Sequence, residues 1–302
     1  MLGRRLGKAR ESAVYVVAMA VIFGLSSVCN AVTPKQRGWA LFEAAAKSKH
    51  TTERAIGIRA LGLLPGEARA RILAEAALED PKPEVRIAAA TALGQMHATQ
   101  SIPKIQKLLK DEKLNVVVAT AHVLHDLKDD ASADAVYYSI LTGERKPEGL
   151  IAKQIDTLEN PHELMKIGEQ VGIGFIPYAG IGWDAWRFTH TADPNPVKAV
   201  AATILARKPG AEVANALVDA TKDKNWIVRA AATEAIARRG DPTLESEIEF
   251  GFSDVNAHVR YTTAAAVIRL SNISERNLRA KKTPEKIENK DQTREAALSV
   301  AK

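Results

Sequence analysis

The feature that most constrains this chain is a period of thirty-one residues. Val228-Arg229-Ala230-Ala231-Ala232 is followed by Val259-Arg260-Tyr261-Thr262-Thr263-Ala264, which puts Arg260 31 residues after Arg229. Lys198 lies 31 before Arg229, Val117 lies 31 after Arg86, and Arg54 lies 32 before Arg86. An aspartate stands six residues ahead of the marked position at Asp80, Asp111, Asp223 and Asp254, and Asp193 stands five ahead of Lys198. Self-similarity at this spacing is the signature of a stacked repeat array.

Each unit reads as a helical hairpin. In "PEVRIAAATALGQM" the residues Val85, Ala88, Ala89, Ala92, Leu93 and Met96 follow helical spacing. The preceding stretch, opened by the breaker Pro65-Gly66, reads as a partner helix. The pattern predicts helices over 66–79 with 83–96, 101–109 with 114–127, and 131–142 with 148–159. After an interruption it predicts 196–207, then 211–221 with 225–239, and 243–251 with 256–272. Hydrophobic residues make up 46% of the chain but aromatics only 5%, so alanine supplies much of the core and favours close helix packing. One hairpin cannot bury its apolar face alone, whereas stacked neighbours can.

The D-x5-[VR]-x-A-A-x-A-L pattern resembles HEAT repeats, and among them the short phycobilin-lyase-type HEAT-like repeats. It covers about residues 37–160 and 192–273. The resemblance implies an all-α solenoid in which Asp80, Arg86, Asp111, Asp223, Arg229, Asp254 and Arg260 form a structural ladder. The aspartate would sit in the inter-helix turn, where it can accept from exposed N–H groups. The arginine, in the first turn of the next helix, can reach a neighbouring unit's aspartate.

The expected organisation is a signal peptide over 1–31, repeat blocks over 32–160 and 192–273, an insertion over 161–191, and a charged, disordered tail over 274–302. The first segment has a basic start (Arg4, Arg5, Lys8, Arg10), a thirteen-residue apolar run Ala13–Leu25 and small residues before Ala31. That run is short of the ~20 residues of a spanning helix, which favours cleavage over retention as an anchor. Cys29 is the only cysteine, so a mature chain would lack disulfides, thiol catalysis and cysteine metal sites. The formal charge of +6 sits at the two ends, with four cations against one anion in 1–31 and eight against five in 275–302. The body between them is about neutral, which argues against nucleic acid as a partner.

The unit near residue 150 has Leu150-Ile151 where Val-Arg is expected, and Val117 to Lys198 spans two periods plus 19 residues. The surplus falls on "GEQVGIGFIPYAGIGWDAWRF", Gly168–Phe188, which gathers Phe175, Tyr178, Trp183, Trp186 and Phe188. These aromatics can pack on the chain's own repeats, anchor a protein partner, or enter a membrane interface. Gly172 and Gly174 make no dinucleotide loop, because position 177 is Pro177. His122 and His125 have a spacing that can place two metal ligands on one helix face. In register, however, they align with Thr91 and Glu234, and with Gly94 and Ala237, as ordinary surface positions do. Deoxyhypusine hydroxylase, a related HEAT-like enzyme, builds an iron site from repeated His-Glu pairs, and here there is only His162-Glu163. The expected function is an exported, non-catalytic scaffold in a bacterial cell envelope, with a protein partner, no cofactor and no evident small-molecule substrate. The alternatives are a peripheral membrane adaptor using residues 171–188, or a HEAT-like enzyme such as a lyase.

Overall fold

The computed structural model describes residues 32–142 and 195–300. The signal segment 1–31, the predicted helix 148–159, His162-Glu163, Asp193 and the insertion 161–191 with its five aromatics lie outside them. The chain divides into two compact units, Met1–Thr33 and Pro34–Lys302, and the second holds the repeats.

Every regular element among the described residues is helical. In chain order they are α1 (Pro34–Ala46) with α2 (Thr51–Ala60), and α3 (Ala68–Ala77) with α4 (Pro83–Gln95). Then come α5 (Ile102–Ile105), prolonged by a 3-10 turn over Gln106–Lys110, with α6 (Leu114–Asp126), and α7 (Asp130–Thr142). The second block has α8 (Asn195–Leu205), α9 (Ala211–Ala220) with α10 (Trp226–Arg239), and α11 (Glu245–Ile248) with α12 (Ala257–Val300). Local chemistry marks the ends. Pro83 stands in the first turn of α4, where its missing N–H is harmless, and Gly240 ends α10 in the left-handed region at φ 72°.

The order in space is not the order in sequence. Second helices stack as α8, α10 and α12 in one block and as α2, α4 and α6 in the other, with α7 beyond α6. The two blocks join where α12 packs on α1 and α2. The spatial row is therefore α8–α10–α12–α2–α4–α6–α7, a permuted array whose two end helices flank the insertion. The sequence places the seam between the blocks at the insertion. The structure places it between the beginning and the end of the repeat body.

The seam is built for close approach. A Cβ on Gly38 of α1 would lie 3.0 Å from Ile268 Cδ1 and 3.1 Å from the Ala264 carbonyl oxygen. One on Gly57 of α2 would lie 3.5 Å from Tyr261 Cε1 across the seam, and 2.6 Å from Ala45 Cβ within its own hairpin. The Phe42 ring sits 6.0 Å from that of Tyr261 and 6.1 Å from that of Trp39. The Arg37 guanidinium lies over Phe252, 4.7 Å from its centroid. Polar ties join the same elements: Arg269 Nη1 donates to the Leu63 carbonyl at 2.8 Å, Asn272 Nδ2 to Glu67 Oε2 at 3.0 Å, and Lys35 pairs with Glu275 at 2.7 Å. One hydrophobic cluster consequently runs through both blocks, from Trp39 to Leu270. Alanines make it dense, with Ala88, Ala89, Ala92, Ala264, Ala265 and Ala266 all fully buried.

The last helix does not stop at Ile273. Its backbone stays helical through the stretch expected to be disordered, as far as Val300. That stretch lacks glycine and is rich in Ala, Glu, Lys and Arg, which favour helix.

If the seam couples the blocks, Phe42→Ala, which removes a buried ring at a cost of about 3–5 kcal/mol, will loosen the far end of the sequence. Hydrogen exchange should show faster opening of 257–273 as well as 34–60. Wild-type protection of 257–273 in that variant would contradict the seam.

Candidate interaction surface

The predicted ladder residues form two-way bonds between repeats. Arg229 Nε and Nη2 hold Asp254 at 2.6 and 2.9 Å, Arg86 holds Asp111 at 2.7 and 2.8 Å, and Arg54 holds Asp80 at 2.8 and 3.0 Å. Each arginine also donates through Nη1 to a carbonyl in its own repeat, six residues back: Asp223, Asp80 and Ser48. Each aspartate in turn accepts a backbone N–H two residues on, from Lys82, Lys113, Asn225 or Asn256. The carboxylate thus fixes the residue that precedes the next helix while gripping its neighbour. The rung at Lys198 is a single contact to Asp223 at 3.0 Å.

At the seam the rung changes. Arg260 keeps its own-repeat bond, to the Asp254 carbonyl at 2.9 Å. The next aspartate position in space is Ser48. Glu53, which stands where other repeats bury a valine, supplies the carboxylate: it accepts from Ser48 Oγ at 2.9 Å and from the Tyr261 hydroxyl at 3.0 Å. These bonds, with the field of Arg260, hold Glu53 below the usual carboxylate range. Burial and the neighbouring Glu53 push the Tyr261 hydroxyl well above its ordinary value. Nothing in the period alone announced this exchange, but Ser48, Glu53 and Tyr261 all leave register together.

A tie of similar kind sits among the first helices. Glu75 on α3 is bonded by Ser101 Oγ at 2.6 Å, Lys104 Nζ at 2.6 Å and Arg71 Nη1 at 2.5 Å. Burial would raise its pKa, yet these three donors outweigh it and hold the carboxyl at about 2. His122 and His125 turn to separate carboxylates, with Nδ1 of His122 3.4 Å from Asp126 and Nδ1 of His125 2.7 Å from Asp130. Among the described residues no group of three His, Cys, Asp or Glu side chains could hold a metal ion.

What stays open is the outer face of the second helices. Trp226, at the start of α10, is 38% exposed and stacks on His258, at the start of α12, with ring centroids 5.0 Å apart. His258 keeps access to solvent on one side. Burial on the other sides, and then the positive charge of Arg59 on α2, lower its pKa. Val255, in the turn between them, is 93% exposed. Trp226, Val255 and His258 all come from the second block, and Arg59 of the first block acts on His258 across the seam. Trp226 and His258 escaped the sequence reading because neither belongs to a motif. The available signal was an aromatic at a helix start where the other repeats have Ala257, Thr51, Pro83 and Leu114.

The family model for HEAT repeats matches residues 39–124, 70–145 and 188–269. The chain belongs to the HEAT-repeat family. As a HEAT-repeat protein it is an all-α solenoid, the architecture expected from the period. The solved structure of human deoxyhypusine hydroxylase in complex with glycerol is 15% identical, over 79% of this chain and 97% of that one, with a TM-score of 0.32. No curated protein matches the chain.

The rungs differ in burial, and so should their worth. Asp254→Ala strips a pair whose side chains are only 13% and 9% exposed, and should lower unfolding free energy by about 3–5 kcal/mol in urea titrations. Lys198, 52% exposed, should cost about 0–1 kcal/mol as Lys198→Ala. Equal losses would refute burial as the cause.

The acid response has a defined sign. Asp80, Asp254, Glu53 and Glu75 have depressed folded pKa values. Their contribution is complete above the unfolded carboxylate value of about 4. It is lost as pH falls through the folded values, for Glu75 between 4.5 and about 2. The urea midpoint should therefore drop from pH 6 to pH 3, and Glu75→Gln should flatten that drop.

Proposed function

We propose that this HEAT-repeat protein is an exported, non-catalytic scaffold that holds a protein partner in the cell envelope. The observation that carries this reading is the open Trp226–His258 stack with Val255, at the starts of α10 and α12. Exposed aromatics beside a buried, rigid framework are what partner anchors require. The densely bonded charges support a non-catalytic role, since the Asp–Arg rungs and the Glu75 cluster are spent on holding repeats together. Export is supported by the basic-apolar-small pattern of residues 1–31. No helix among the described residues is long and apolar enough to cross a membrane. The short repeat favours kinship with the phycobilin-lyase-type units. The aromatics Phe175, Tyr178, Trp183, Trp186 and Phe188 are a second candidate contact in this scheme.

The test is affinity capture from an envelope fraction with the mature chain, compared with Trp226→Ala, Trp183→Ala and Trp186→Ala. A specific protein should be recovered, and Trp226→Ala should reduce its yield about tenfold, as for loss of a hot-spot aromatic. Undiminished capture by Trp226→Ala removes this face from the site. Sedimentation with anionic liposomes instead of protein capture would favour the membrane-adaptor alternative.

A further inference from the structure

The second-helix face carries another arginine series that the ladder does not use. Arg207, Arg238 and Arg269 follow one another at the same 31-residue spacing. They stand just past the end of α8, in the last turn of α10 and at the equivalent register of α12. Arg276 lies two turns further along α12. Arg238 is held within its helix by Glu234 at 2.8 Å. Arg276 gives its Nε to the Asn272 carbonyl at 3.2 Å. Arg269 is the unusual member: Nη1 meets the Leu63 carbonyl across the seam, but its Nε is buried without an acceptor. Burial disfavours its charge, and Arg238 and Arg276 add repulsion. A guanidinium beside two like charges is costly as it stands, and an arriving anion offsets that repulsion.

The spacing suggests what kind of anion. Packed helices lie about 8–10 Å apart, and an extended backbone advances about 3.3 Å per residue. Arg207, Arg238 and Arg269, one per repeat, therefore match every third residue of an extended chain, and Arg276 stands beside the last of them on α12. The near-neutral repeat body lacks the long-range positive field that nucleic acids need.

We propose that Arg207, Arg238, Arg269 and Arg276 bind the carboxylates of an extended acidic polypeptide segment. This rests on the protein-scaffold reading and names the class of partner. The probe is a fluorescent peptide with glutamate at every third position, measured by anisotropy against the full chain, with a glutamine-substituted peptide as control. Arg238→Gln and Arg276→Gln are the variants, because Arg269 also secures the seam. The glutamate peptide should bind and the glutamine peptide should not. Each variant should weaken binding about tenfold, as expected for a charged hydrogen bond, with the thermal midpoint unchanged. Equal binding of both peptides, wild-type affinity in the double variant, or tighter binding of a single-stranded oligonucleotide or an anionic vesicle would overturn the proposal. If the peptide fails while Trp226-dependent capture of an envelope protein persists, only the acidic-segment assignment falls and the scaffold reading stands.

Discussion

The packing of α12 on α1 and α2 is the contact on which the rest of the molecule depends. In a solenoid each repeat is stabilised by its own hairpin and by its two neighbours. Here the middle interface joins residues more than two hundred positions apart, Tyr261 to Glu53 and Arg269 to Leu63. Without it the described chain would be two short stacks, each with an extra apolar face in water. With it, Phe42, Tyr261, Ile268 and Leu270 are buried in one cluster shared by both blocks. Contacts of such sequence separation carry a loop-closure penalty before they yield any stabilisation. Dense packing and several polar ties at this one interface are what offset it.

The ladder shows how one chemical device is reused and where it is altered. A bidentate Arg–Asp pair with little exposure fixes both spacing and register between repeats, since each partner is also bonded to backbone in its own turn. The device needs the same two side chains in successive units. At the seam the neighbour in space is not the neighbour in sequence, and the chain substitutes Ser48, Glu53 and Tyr261 for the usual aspartate, valine and aliphatic residue. The exchange keeps a carboxylate near Arg260 while filling the junction with a ring.

Much of the fold was legible. The helices α3, α4, α6, α9 and α10 lie within a residue or two of the ranges given by apolar periodicity, because that periodicity is the burial pattern itself. The ladder positions could be found for the same reason, since a repeated bond leaves a repeated residue. The candidate face was not legible. Trp226 and His258 meet because α10 packs on α12, Arg59 nears His258 only across the seam, and a pattern measured along one chain does not register such neighbours. The helical backbone beyond Ile273 was one of two readings open for the tail, because charge and the lack of large apolar residues spoke for disorder while intrinsic helix preference spoke for a marginal helix.

The sequence by itself determined that this is an all-α array of hairpins with a 31-residue unit, an alanine-dense core and an Arg–Asp bond between successive units. Those properties repeat, so they are written into each unit. Only the tertiary structure decided the order of the blocks, the altered rung at Glu53 and the stacking of Trp226 on His258. The physical reason is that interfaces between identical kinds of unit are nearly interchangeable by pattern. Which of them forms is settled by the particular fit of Gly38 against Ile268 and of Gly57 and Phe42 against Tyr261.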